Sequence, residues 1–169
     1  MSERKQLMAD ADTDQSEIEQ DEMRTRVIEL AFNGSRELFD EFCDLIRASV
    51  PPDTTAVLRG SSITGERYED GAPFDADGPG TSDLDLTLVG DEIFECYSVI
   101  TGSYVPGIHT KPMGEDHPGI APDLEPLRES LIAMVDRPVN IQASRDLFMY
   151  LRGDVLGQPY LTLFGTVGG

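Results

Sequence analysis

The residues best suited to chemistry fall in two short groups, Gly60-Ser61 and Ser82-Asp83-Leu84-Asp85. The run Ser82 to Val89 alternates, so that Asp83 and Asp85 point to one face of a strand while Leu84, Leu86 and Leu88 point to the other. Two carboxylates about 7 Å apart along a strand edge can share a hard cation such as Mg²⁺. A chain with 32 Asp plus Glu also produces Asp-x-Asp pairs by chance, mostly on solvated surface. A charged pair within an apolar strand is different, because burying a charge is costly and needs a reason. Upstream, Ala56-Val57-Leu58 runs into Gly60-Ser61-Ser62-Ile63-Thr64-Gly65, as a strand runs into a tight turn and a helix start. Such a turn leaves backbone N–H groups for a phosphate. A side chain at Gly60 would keep that phosphate away from the backbone.

Gly60-Ser61-Ser62-Ile63-Thr64-Gly65 followed by Ser82-Asp83-Leu84-Asp85-Leu86 resembles the signature of the polymerase-beta-type nucleotidyltransferases, especially the minimal ones. These carry Gly-Ser-x-x-x-Gly and then Ser-Asp-x-Asp-x on the next strand. Each half is weak alone, and together, in this order, they are fairly specific. With a looser match further on, the resemblance covers about half the chain. It implies that Gly60, Ser61 and Ser82 bind a nucleoside triphosphate and that Asp83 and Asp85 are catalytic carboxylates holding Mg²⁺ or Mn²⁺. It further implies a third carboxylate in an apolar-acid-apolar triplet on a later strand, and here the matching residue is Asn140, in Val139-Asn140-Ile141. Asn140 keeps an oxygen but has neither the negative charge nor the capacity to take a proton.

Two functions follow from the resemblance. One is a metal-dependent nucleotidyltransferase moving a nucleoside monophosphate from the triphosphate to a hydroxyl of a small molecule or a protein. The other is a catalytically impaired relative that binds nucleotide or a protein partner without turnover. Intact Gly60, Ser61, Asp83 and Asp85 favour the first. Asn140 and the acidic stretch with Glu66, Glu69, Asp70, Asp75 and Asp77 favour the second.

The elements that must position these residues read as one domain over 16–165, preceded by a disordered acidic tail, 1–15, and followed by a loose end, 166–169. Met23, Val27, Leu30 and Ala31 share a helical face that Asn33-Gly34 stops, and Ser35 caps a second helix carrying Leu38, Phe39, Phe42, Leu45 and Ile46 until Pro51-Pro52. Core strands are expected at 54–58, 83–89 and 138–143, with an edge strand at 160–164. Residues 66–81, holding Gly71, Pro73, Gly78, Pro79 and Gly80, read as an inserted loop, either a lid over the site or a surface excursion. Its Asp75-Ala76-Asp77-Gly78 lacks the spacing and the later ligands of a calcium loop. Residues 91–100 fit a helix or an irregular strand. The glycines and prolines of 102–122 argue against regular structure there. Asp123 is placed to cap a helix with Leu124, Leu127, Leu131 and Met134 inside, and Ser144 a helix with Leu147, Phe148 and Leu151. The expected fold is α/β (α+β): a small mixed sheet of four or five strands with helices mainly on one face.

Thirteen basic residues against 32 acidic give a net charge of −19. That surface repels polyanions and argues against nucleic acid as a partner, while suiting a basic protein partner. An acidic surface poor in lysine is also compatible with a high-salt cytoplasm or merely with biased codon usage. Cys43 and Cys96 sit among apolar neighbours and read as buried free thiols. His109 and His117, eight apart with no cysteine nearby, do not make a metal site. No basic-then-apolar leader and no membrane-length apolar run is visible, which points to a soluble cytoplasmic protein and away from a membrane.

Overall fold

A computed structural model describes residues 2–67, 69–97, 103–105, 109–117, 119–145 and 159–165, with the backbone alone at 2–16, 103–105 and 109. In chain order the elements are α1 (Ser2–Ala31), α2 (Arg36–Ser49), β1 (Thr55–Arg59), α3 (Ser61–Thr64), β2 (Leu84–Val89), α4 (Asp91–Glu95), β3 (Ser103–Val105), β4 (His109–Thr110), a 3₁₀ turn (Pro122–Leu124), α5 (Glu125–Val135), β5 (Val139–Ser144) and β6 (Leu161–Phe164).

The strands form one mixed sheet in the order β3-β4-β5-β2-β1-β6. Its centre is β2, antiparallel to β1 and parallel to β5. Alternation divides the sheet into two chemically distinct faces. Ala56 and Leu58, Leu84, Leu86 and Leu88, and Val139, Ile141 and Ala143 point one way, into a single core with Val27, Phe32, Phe42, Ile46 and Leu131 from the helices. The opposite face carries polar rows, and one row runs straight across three strands: Arg59 is in register with Asp85, and Asp85 with Asn140. A shift of one residue in β2 would exchange aspartates for leucines, so burial of the leucines fixes where the carboxylates stand.

Local chemistry sets the helix ends. Ser35 is extended and its hydroxyl accepts from Leu38 N at 3.1 Å, while Asn33 and Gly34 at φ +53 and +77 turn the chain out of α1. Buried Phe39, Phe42 and Ile46 are the inner stripe of α2.

Several expectations are corrected. The chain is helical from Ser2, where polarity predicts an unstructured tail, and among the side chains described in α1, from Glu17 on, the first buried one is Met23. The small mixed α+β sheet is as expected, but the glycine- and proline-rich stretch 102–122 is not wholly irregular: two short strands in it, β3 and β4, bring the sheet to six strands. Asp123 does not cap α5: a 3₁₀ turn precedes it, with Ala121 at the cap and Pro122 first. Val135 is buried on α5 in addition to Leu124, Leu127 and Leu131. Cys43 and Cys96 are free and half-buried, not fully enclosed. The helix expected after Ser144 and the loose end 166–169 lie outside the described residues. No helix among the described residues is long and apolar enough to cross a membrane.

Candidate functional site

Where β1 ends, Gly60 takes φ +88 and ψ −158, and the single turn α3 starts from it; Gly60 O accepts from both Ile63 N and Thr64 N. Gly65 closes the turn in left-handed conformation, its N–H donating to Ser61 O at 2.8 Å. The constraint on Gly60 is nearer than the phosphate expected from sequence: a Cβ there would stand 2.7 Å from Asp85 Oδ2. Glycine at this bend is what lets the carboxylate of the neighbouring strand come against the backbone.

Asp83 lies just before β2 and Asp85 is its second residue. Asn140, second residue of β5, reaches both: its Nδ2 donates to Asp83 Oδ2 at 2.5 Å and to Asp85 Oδ1 at 3.2 Å. The amide thus occupies the space between two anionic oxygens and supplies the positive edge that both need. Burial pushes the Asp85 carboxyl above its ordinary value of 3.8, and the Asp83 charge pushes in the same direction, against the opposing pull of Arg59 and Asn140. On the other side Gly114 packs so closely that a Cβ would fall on Asn140 Oδ1. Met113 secures that approach by exchanging backbone hydrogen bonds with Ile141, at 2.8 and 3.0 Å.

These groups line a cleft of about 790 Å³ that also takes in Gly60, Ser61, Ser82, Gln142 and the carboxylates Glu69, Asp77, Glu115 and Asp116. Arg59 donates from Nη2 to Gln142 Oε1 at 3.1 Å, and Gln142 Nε2 in turn donates to Thr110 O at 2.7 Å, which holds the guanidinium along the polar face of the sheet. Arg67, also on the cleft, pairs with Asp77 at 2.7 Å and Asp70 at 3.3 Å. The cleft is therefore predominantly acidic and better suited to a cation, or to an anion that brings a cation with it, than to a bare polyanion.

All six residues singled out from the sequence, Gly60, Ser61, Ser82, Asp83, Asp85 and Asn140, thus border one cleft. Ser82 is also fastened to the loop: its N–H donates to Asp75 Oδ1, its carbonyl accepts from Arg137, and its hydroxyl oxygen accepts from Asp75 N. The sequence gives no sign of Gly114, Gln142 or Arg137, and shows Asp75 only as one of the acidic residues of the loop. The approach of 114 to Asn140 joins segments far apart in sequence, and only the apolar triplet around Asn140 pointed to the strand.

Asp83 and Asp85, which both border the polar cleft, are the carboxylates that could hold one hard divalent cation. The third neighbour is an amide whose hydrogens face both carboxylates, and this fits a second cation poorly. Among the described residues no group of three or more His, Cys, Asp or Glu side chains is arranged to hold a metal. No model of a known protein family, no characterised protein and no solved structure matches this chain.

Proposed function

We propose that this chain is a metal-dependent, cytoplasmic nucleotidyltransferase that moves a nucleoside monophosphate from a nucleoside triphosphate to a hydroxyl of a small molecule or a protein. One observation carries the reading: the glycine-serine bend and the Asp83–Asp85 pair, read separately from sequence, border the same polar cleft. Asp83 and Asp85 would hold one Mg²⁺ or Mn²⁺, which neutralises charge on the triphosphate and polarises its phosphoryl oxygens. The Ser61 hydroxyl and the backbone at Gly60 orient the terminal phosphates. Arg59, fixed by Gln142, places a permanent positive charge beside Asp85. The predominantly acidic lining admits the triphosphate as its metal complex and disfavours the free polyanion.

Asn140 favours a second reading, in which the same cleft binds nucleotide, or a basic protein partner docks on the acidic surface, without turnover. An amide takes no proton from an attacking hydroxyl, and here its hydrogens already serve both carboxylates. Incubating the full chain with each labelled nucleoside triphosphate and Mg²⁺ or Mn²⁺ separates the two. Pyrophosphate release with label transfer to the protein or to lysate components supports the transferase. Calorimetric binding of the triphosphate with metal, without release, supports the non-catalytic binder. No binding and no release with any triphosphate overturns both nucleotide readings.

A further inference from the structure

The loop 66–81 carries a second constellation, directed at the carboxylate pair from behind. Asp75 stands at φ +59, in the left-handed region, and both of its carboxylate oxygens are engaged. Oδ1 accepts from Ser82 N and from Arg137 Nη1, each at 2.9 Å; Oδ2 accepts from Arg137 Nη2 at 3.1 Å and Gly80 N at 3.3 Å. The Arg137 side chain is only 7% exposed and lies over the Phe74 ring at 4.7 Å from its centroid. Its Nη1 also donates to Ser82 O at 2.8 Å and its Nη2 to Leu30 O at 3.4 Å. Phe74 is buried, and its N–H donates to Gly65 O at 2.9 Å, tying the loop to the end of α3.

A lid must be able to leave the site, and a surface excursion need not be built at all. This loop instead carries a buried aromatic ring and a left-handed aspartate that forms a partly buried bidentate ion pair with Arg137 and has both carboxylate oxygens occupied. Its connections end at two particular places. Ser82 directly precedes Asp83, and Arg137 stands just ahead of Pro138-Val139-Asn140, whose strand is joined to β2 by Leu84 N donating to Pro138 O at 2.9 Å. The ion pair therefore spans the beginnings of the two parallel strands whose side chains meet in the Asp83–Asn140 hydrogen bond.

We propose that Asp75 and Arg137 are positioning residues that clamp these two strand starts together, hold Asp83 against Asn140, and thereby set how tightly Asp83 and Asp85 take a divalent cation. The cation half of this statement rests on the reading of the two aspartates as metal ligands; the half about Asp83 and Asn140 does not. A planar fork engaging a carboxylate through two nitrogens is not reproduced by lysine, so even Arg137→Lys loosens the clamp. Asp75→Asn keeps an acceptor but loses the charge and one of the two oxygens.

The test compares the 169-residue chain with Arg137→Lys, Asp75→Asn and Phe74→Leu. Ile46→Val, a shortening of a fully buried side chain on α2, is the control for general destabilisation. Two quantities are read well below the melting temperature: the side-chain amide signals of Asn140 in metal-free ¹⁵N-labelled protein, and Mn²⁺ affinity by calorimetry. In the three clamp variants the Asn140 amide moves toward the position of a solvated amide, and Mn²⁺ affinity falls about 10–100-fold, the range typical of residues that orient metal ligands. Ile46→Val leaves both unchanged. Asn140 signals that stay in place in folded Arg137→Lys and Phe74→Leu overturn the clamp, whatever the fate of Asp75→Asn. Signals that move in a protein whose wild type takes no Mn²⁺ refute the metal-ligand reading while the clamp stands. Signals that move with Mn²⁺ affinity unchanged overturn the link between clamp and cation.

Discussion

Replacing Asn140 by aspartate restores the third carboxylate and tests what the amide does now. Its Nδ2 donates to Asp83 Oδ2 at 2.5 Å and to Asp85 Oδ1 at 3.2 Å. A hydrogen bond to a charged group contributes about 1.5–3 kcal/mol, so losing both costs about 3 kcal/mol or more. A third negative oxygen in the same space adds repulsion, and it acts on an Asp85 carboxyl that burial and Asp83 already push up. Proton uptake by the cluster relieves part of this. At about 2–4 °C per kcal/mol for a chain of this size, Asn140→Asp melts about 6–12 °C below wild type at pH 7 in EDTA. Added cation stabilises the variant more than it stabilises wild type. A ligand at a hundred times its Kd stabilises by about 2.7 kcal/mol, so Mg²⁺ or Mn²⁺ recovers most of the loss in the variant. Wild type gains less, because its amide already serves both carboxylates. Pyrophosphate release rises alongside. Thermal melts followed by far-ultraviolet circular dichroism in EDTA and along a Mn²⁺ series measure this. Equal melting of the two proteins in EDTA, or equal shifts on adding metal, would refute this account of Asn140.

Gly60→Ala forces a Cβ to 2.7 Å from Asp85 Oδ2 at a φ of +88. It lowers unfolding free energy by about 1–3 kcal/mol in a urea titration and weakens Mn²⁺ binding, and an unchanged midpoint contradicts the close approach. Although burial alone would raise the Asp75 carboxyl, the Arg137 guanidinium and the amides of Ser82 and Gly80 hold it below its ordinary 3.8. Its stabilising contribution is therefore complete above about pH 4 and is lost as pH falls through the lower, folded-state value. Acid titration of stability is thus steeper for wild type than for Asp75→Asn below pH 4, and parallel curves exclude the linkage. Burial, reinforced by Asp40 and Asp44, pushes the Cys43 thiol from 9.0 up to about 12. At pH 8 iodoacetamide modifies it roughly a thousandfold more slowly in the native than in the unfolded chain, as followed by peptide mass; comparable rates show the thiol is not so placed.

The parts of this architecture that were legible in the sequence are those governed by burial over a run of neighbouring residues. Phe39, Phe42 and Ile46 mark the inner face of α2 because three- and four-residue spacing is the period of a helix. Leu84, Leu86 and Leu88 mark β2, and by exclusion they put Asp85 on the other face. The triplet around Asn140 marks β5 in the same way. Elements without such a run escape the method. The three residues of β3 and the two of β4 are too short to show a period, and the first half of α1 has no apolar stripe to reveal it.

The site was legible as a set of residue types but not as a set of contacts, because its contacts join residues far apart in sequence. Arg137 meets Asp75 across 62 positions, and Asn140 meets Asp83 across 57. Gly114 packs against the same asparagine from a third segment. Local pattern gives no access to such pairings, and the contacts of Ser82 with Asp75 and Arg137 are among them. The Ser-Asp spacing is the same whether the serine faces a phosphate or fastens the backbone ahead of the aspartate. Here all three of its polar groups turn toward Asp75 and Arg137. The same ambiguity applies to the loop. Glycine, proline and aspartate are equally suited to an irregular excursion and to a tight turn that fastens one strand to another. What distinguishes the two is a partner with the right charge at the right place, and Arg137, next to a proline and outside any periodic run, gave no sign of being it.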